Sequence, residues 1–218
     1  MMRMKLTFAI LLIGCLLVPP LWSRAQSQRG QGVRIKGENG QEINLYAESH
    51  ALVIGVSDYP VANGWRRLPG VKTDVEQVSE ALRKQGFNVR TKLNPTQEEL
   101  DKALRDFIGD CGVNQRNRLL IWFAGHGHTE NLSDGREQGY IVPLDAPDPS
   151  RDLPGFRRRA ISMSHMEAYA SLIESKHVLF VFDSCFSGAI FVVRSGNTVP
   201  PEFESKFAGP LRLFIASG

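Results

Sequence analysis

Two segments of the 218-residue chain carry side chains suited to nucleophilic chemistry. An apolar run over 118–123 leads into Ala124-Gly125-His126-Gly127-His128, and a second over 178–182 leads into Asp183-Ser184-Cys185-Phe186-Ser187-Gly188. A thiol near its ordinary pKa is only a few per cent thiolate at neutral pH, so a hydrolase that uses cysteine sets a base or a positive field beside it. His126 can supply either. Gly125 and Gly127 let the backbone turn tightly. The backbone amides of Gly127 and Cys185 are candidates for an oxyanion hole, worth roughly 3 kcal/mol per donor in comparable sites. Taken singly, a cysteine in a strand-to-helix turn is ordinarily a small buried hydrophobe, and a histidine after a strand is ordinarily structural. Their joint occurrence at successive strand ends favours chemistry.

A sheet must hold those ends. Apolar runs suited to buried parallel strands fall at 51–56, 87–93, 118–123, 178–182 and 211–216. Between them Val71, Val75, Val78 and Leu82 recur at helical spacing, and Leu100, Leu104, Phe107 and Ile108 do so after a Thr96/Glu99 capping box. A third helix is expected from Ser164 through Met166, Tyr169, Ala170 and Ile173, with Ser164 and Glu167 as another capping box. Strand alternating with helix implies an α/β fold, a mainly parallel sheet with helices on both faces. Reacting groups collect at the carboxyl ends of such strands. If 118–123 and 178–182 are sheet neighbours, His126 and Cys185 leave the sheet at one edge.

The connections read more simply. Residues 26–49 suggest a linker with one short edge strand, and 130–155 a long connection whose apolar piece at 140–144 suits a hairpin. Arg157-Arg158-Arg159 reads first as a solvated loop and second as a recognition patch. No internal repeat is visible.

With 42% hydrophobic and 22% charged residues, the chain has the apolar mass for one sizeable core. That excludes a disordered chain, a collagen-like repeat and a disulfide-stapled miniprotein. The formal charge of +3 comes from 26 basic and 23 acidic groups, and Arg3, Lys5 and Arg24 lie in a stretch of 25 residues without Asp or Glu. The remainder is formally neutral, so no nucleic-acid partner is expected. Residues 1–25 read as a signal peptide: a basic start, an apolar run at 6–18, and small residues at Ser23 and Ala25 before a polar stretch. The run is short for a membrane anchor, and Pro19-Pro20 follows it. Leu12-Ile13-Gly14-Cys15 offers a secondary reading, a lipoprotein box with Cys15 lipidated. Export to the periplasm or beyond is therefore expected, with contact to a membrane only through that leader. Beyond it only Cys111 and Cys185 remain, too few for a disulfide framework. Cys111 precedes the third strand, at the amino end of the sheet. A six-residue strand separates it from the other edge by roughly 20 Å, so a buried free thiol is expected there.

The segments FAGHGH, DSCFSG, ALVIGVSDYP, LPGVKTDV and GYIVPLDA together resemble the catalytic domain of the caspase/metacaspase family of cysteine peptidases in its bacterial form, over about 49–218. The resemblance implies a three-layer domain with flavodoxin-like strand order, preceded by the leader at 1–25 and a linker at 26–48. It implies His126 as base and Cys185 as nucleophile, with no third member demanded, acting on protein or peptide substrates. Asp74 and Asp183 match the metacaspase acidic positions, which implies cleavage after Arg or Lys, opposite charge being favoured in a partly desolvated pocket. Val71 and Ala124 depart from the family's usual cysteine and serine there. Asp74 also reads as an ordinary acid in the first turn of a helix, and Asp58 as a turn residue or an edge group of the site.

His128 completes an H-x-H pair, but Glu130 and Asn131 stand where a metallo-hydrolase would place further ligands, so no metal site is expected. No cofactor is expected either, with calcium activation left open because some members of the family that the chain resembles need it. Asp145, Asp148 and Asp152 form no recognisable calcium loop. Gly55-Val56-Ser57-Asp58 is not a phosphate cradle. A catalytically silent caspase-like binding module is the competing reading, disfavoured by the intact His126 and Cys185. Arg194 and Lys206, in the stretch 189–210, are candidate self-cleavage points. Because caspase-like folds continue past the strand at 211–216, a chain truncated at its carboxyl end, with an exposed sheet edge, is also expected.

Overall fold

A computed structural model describes residues 34–36, 40–184 and 211–217. The leader with Cys15, the nucleophile candidate Cys185, and Arg194 and Lys206 lie outside the described residues. In chain order the elements are β1 (Arg34–Lys36), β2 (Glu42–Asn44), β3 (Ser49–Gly55), α1 (Gly70–Lys84), β4 (Asn88–Leu93), α2 (Gln97–Cys111), β5 (Arg118–Ala124), β6 (Gly127–Asn131), β7 (Glu137–Ile141), α3 (Leu153–Arg159), β8 (Ile161–Ser162), α4 (Met163–Ser171), β9 (His177–Asp183) and β10 (Leu211–Ala216).

The apolar runs become a five-stranded parallel sheet in the order β10-β9-β5-β3-β4. This is the flavodoxin-like order, with the strand order reversing between β3 and β5. β3 and β5 lie inside the sheet, which is why they read as continuous apolar segments rather than alternating ones. α1 carries the chain outward from β3 to β4 and α2 carries it back past β3 to β5. Right-handed crossovers in opposite directions put these helices on opposite faces. Accordingly Val71 and Val75 of α1 pack with Val53 and Trp122, while Leu100, Leu104 and Phe107 of α2 pack with Leu52, Ile121, Phe180 and Met166 of α4. Among the described residues no helix is long and apolar enough to cross a membrane.

Four local expectations change. Residues 34–44 form an antiparallel pair, β1 with β2, where one edge strand was expected. The connection after β5 is a three-stranded antiparallel sheet, β6-β7-β8, so the hairpin begins at Gly127, well before the apolar piece at 140–144. α4 is capped by Ser162, whose Oγ accepts from the His165 amide. Ser164 instead donates to Gln138, 2.7 Å away, so the expected Ser164/Glu167 box does not form. Pairing of Ser162 with Tyr140 in the β7–β8 ladder holds Ser162 extended, the conformation an N-cap needs. Finally, the arginine run belongs to α3. Arg157 pairs with Glu130 and Arg159 with Asp145, so these arginines tie the helix to the hairpin and the following loop.

β10 is the edge of the sheet among the described residues. Its Phe214 stacks on Phe180 with ring centroids 4.5 Å apart, whereas Leu211, Leu213 and Ile215 are exposed. Strand alternation sends these two sets to opposite faces.

Candidate active site

The site grows from the carboxyl ends of β3, β5 and β9. The register aligns Gly55 with Ala124 and Ala124 with Asp183, so three chain segments leave one rung together. His126 and Cys185 each stand two positions past that rung in sequence.

The segment after β3 is fastened first. Asn94, in the left-handed conformation at φ 51°, accepts from the Ser57 and Asp58 amides at 2.8 and 3.1 Å and donates to the Asp58 carboxylate. Arg67 pairs with the same carboxylate and holds it below the usual carboxylate range. Asp58 is thus a loop-fixing residue. Further along, Asn63 donates to the Leu144 carbonyl and Trp65 Nε1 to the Ala146 carbonyl, both at 3.0 Å. The loop carrying Arg66 is thereby pinned over the hairpin side of the site.

His126 sits beneath that loop. Its Nε2 lies 2.7 Å from the Arg66 carbonyl oxygen, which can only accept. Nε2 therefore carries the proton, and Nδ1 of the neutral ring keeps its lone pair. The Trp65 ring stacks on the imidazole with centroids 5.0 Å apart, and the Tyr59 ring lies 4.8 Å away. Burial lowers the imidazole pKa below its ordinary value, so the ring is neutral at pH 7. A neutral ring with a fixed tautomer is what a general base requires.

Gly127 opens β6. The Val142 amide donates to the His126 carbonyl at 3.0 Å, which makes Gly127 and Ile141 a pair without mutual hydrogen bonds. The Gly127 N–H consequently points away from β7. Gly125 leaves no free room for a side chain: a Cβ there would lie 2.9 Å from both the Tyr59 hydroxyl and the Phe123 ring, and these side chains would have to shift.

Asp183 ends β9, exposed, and accepts from Ser217 Oγ at 3.1 Å. Asp74 is half-buried in the second turn of α1; no acid lies in the first turn, which removes the first-turn reading. Alternation puts Asp183 on the face of Val181, and Val181 packs in the cluster of Val71 and Val75, so both carboxylates belong to the α1 face. Val71 and Ala124 are buried in that same cluster, and a Cβ on Gly55 would strike Val71 and Val75. Close approach of α1 to β3 leaves those two positions to small apolar packing. The His128 ring packs edge-on against Phe156. Among the described residues no three His, Cys, Asp or Glu side chains come together as a metal site would need. Cys111 is a buried free thiol at the opposite end of the sheet, and burial pushes its pKa up.

Sequence reasoning missed the Arg66 carbonyl, Trp65 and Tyr59. A backbone acceptor has no side-chain signature. Tyr59 stands in the SDYP segment but nothing local marks its hydroxyl.

A parallel α/β sheet with a neutral, oriented histidine at the carboxyl edge defines a class of domain built for chemistry at its strand ends. A family model described as the caspase domain matches residues 48–210, and the chain belongs to that family, one of cysteine peptidases. No curated protein matches the chain. A crystal structure of a protein from Geobacter sulfurreducens matches at 20% identity and a TM-score of 0.49, over 65% of this chain and 52% of that one. Likeness at that level carries no argument about function.

Proposed function

We propose that the protein is a cysteine endopeptidase acting outside the cytoplasm, with Cys185 as nucleophile and His126 as base, cutting after Arg or Lys. The observation that carries the reading is the His126 ring, with Nε2 committed to the Arg66 carbonyl and Nδ1 left to take a proton. In this scheme the Cys185 thiol gives its proton to Nδ1 and the thiolate attacks the scissile carbonyl. The oxyanion takes hydrogen bonds from the Gly127 and Cys185 amides. Collapse breaks the C–N bond, the amine leaves with the proton from Nδ1, and the thioester is hydrolysed by water that returns a proton through the same nitrogen.

Asp74 and Asp183, two carboxylates on the α1 face at the strand ends, support a basic residue in the substrate pocket. The leader at 1–25 supports export, and the scheme uses no metal or cofactor. Protein or peptide chains are the substrates. The test is hydrolysis of arginyl and lysyl reporter peptides beside an aspartyl control, with and without calcium. Wild-type cleavage of the basic reporters, lost in Cys185→Ala and in His126→Ala, is the expected result. Cleavage that survives Cys185→Ala, or that prefers the aspartyl peptide, overturns the reading.

A further inference from the structure

The Tyr59 hydroxyl occupies an unusual place in the hairpin ladder. It accepts from the His126 amide at 3.0 Å and donates to the Val142 carbonyl at 2.8 Å. On the other side of the same rung, the Val142 amide donates directly to the His126 carbonyl. In an antiparallel ladder these two residues would exchange both bonds directly. Here one of the two is made and the hydroxyl is wedged into the other. The side chain is 1% exposed, and burial pushes its pKa up, so the hydroxyl stays protonated and both bonds persist.

We propose that Tyr59 is a positioning residue, its hydroxyl holding the first rung of the β6–β7 hairpin open so that the His126 imidazole and the Gly127 amide take their working directions. This deepens the peptidase reading and rests on it. A direct bond would satisfy the two backbone groups with no side chain at all. The tyrosine instead separates them, at the one rung whose strand carries both the base and the candidate oxyanion donor. Three further contacts converge on the wedge. The Tyr59 ring lies beside the imidazole it positions. Gly125 leaves the space the hydroxyl needs, where any Cβ would approach it to 2.9 Å. The stretch between Asp58 and Trp65 is fixed at both ends, by Asn94 and by the Ala146 carbonyl, so the hydroxyl cannot retreat without unfastening the loop that supplies the Arg66 carbonyl.

The test is Tyr59→Phe in the full chain, which removes only the oxygen. The expected result is a kcat lower by about 10- to 100-fold, the scale on which small misplacements act, with KM within about twofold of wild type. Nuclear magnetic resonance of the Cys185→Ala chain supplies a readout independent of turnover: Tyr59→Phe should displace the Gly127 amide resonance and shift the His126 imidazole titration. A folded Tyr59→Phe chain with unchanged kcat, Gly127 resonance and His126 titration overturns the proposal. If wild type cleaves no basic reporter, the peptidase reading fails, and the resonance measurements still decide the positioning role. Should Tyr59→Phe not fold, Gly125→Ala crowds the hydroxyl from the other side, and the same changes are expected. Failure of both variants to fold would make the hydroxyl a structural support and overturn the proposal too.

Discussion

The sheet holds two tyrosine–histidine pairs, one at each end, built from the same side chains with opposite consequences. At the carboxyl end Tyr59 bonds the backbone of His126, and the ring nitrogen is bonded by a carbonyl. At the amino end the Tyr46 hydroxyl lies 2.8 Å from Nδ1 of His177, with the two rings edge to face. Burial lowers both imidazole pKa values. A carbonyl can only accept, so it selects one tautomer, whereas a hydroxyl both donates and accepts and selects none. Around His177 stand Lys176 and Arg212, cations that lower its pKa further, and the Arg118 guanidinium lies over the Tyr46 ring. The amino end is therefore a packed polar seam, and the carboxyl end is a seam with one nitrogen held in reserve.

Removing each imidazole breaks that comparison most directly. His126→Ala should lower kcat/KM by at least about 100-fold, the lower range for a positioned acid–base group, with the fold retained. His177→Ala should leave turnover on the same reporter within about twofold and lower stability by about 1 kcal/mol in denaturant unfolding. Equal losses of activity in the two variants would erase the distinction.

The thiols extend the comparison. Cys111 is 2% exposed and burial raises its pKa, so little thiolate forms and little reagent reaches it. Cys185 is expected to react with iodoacetamide in the folded protein at least about 100-fold faster than Cys111, read by mass spectrometry of labelled peptides. Matched rates would place both thiols in similar surroundings and count against a special role for the carboxyl edge.

How much of this could be read from residues alone depended on the range of the forces involved. The central strands were legible because a strand buried on both faces must be apolar throughout, as in 51–56 and 118–123. β6 was not, since Gly127-His128-Thr129-Glu130-Asn131 has no apolar alternation and becomes a strand only by pairing with Glu137–Ile141. α3 was hidden for a related reason. It has seven residues, with a proline and a glycine near its start, and it is held by burial of Phe156 and by ion pairs to Glu130 and Asp145, distant in sequence. At the candidate site, the place of His126 just past a strand end was legible from residue type and spacing. The groups that orient it, the Arg66 carbonyl and the Tyr59 hydroxyl, are brought in by a loop whose path depends on Asn94, at the end of another strand.

The depressed pKa of His126 sharpens the contrast through pH. In the Cys185→Ala chain no Cys185 thiolate can form, and the imidazole pKa should fall below the ordinary value of about 6.5. The unfolded chain then takes up its proton first as pH falls. Stability attributable to neutral His126 is present above about 6.5 and is lost as pH drops toward the folded value. Trp65→Ala opens the stacked face to water and should move the imidazole pKa back up, measured by proton resonance. An unmoved or lower pKa would show that the indole contributes nothing to the desolvation.

The smallest expected effect lies at the amino end and isolates what a hydroxyl does in each place. Tyr46→Phe removes the partner of His177 Nδ1 from a half-buried contact and keeps the ring, with the Arg118 guanidinium 5.3 Å from its centroid, in place. The loss should be about 0.5–1.5 kcal/mol in unfolding free energy, the ordinary worth of one hydrogen bond, with kcat and KM unchanged. Tyr59→Phe removes the same atom from a rung that no direct bond replaces unless the hairpin closes, and closure would carry His126 and Gly127 with it. The pair of variants thus separates stability from aim. If Tyr46→Phe slowed turnover as much as Tyr59→Phe, the coupling would have to run the length of β9, from His177 to Asp183, and the two ends of the sheet would be one functional unit.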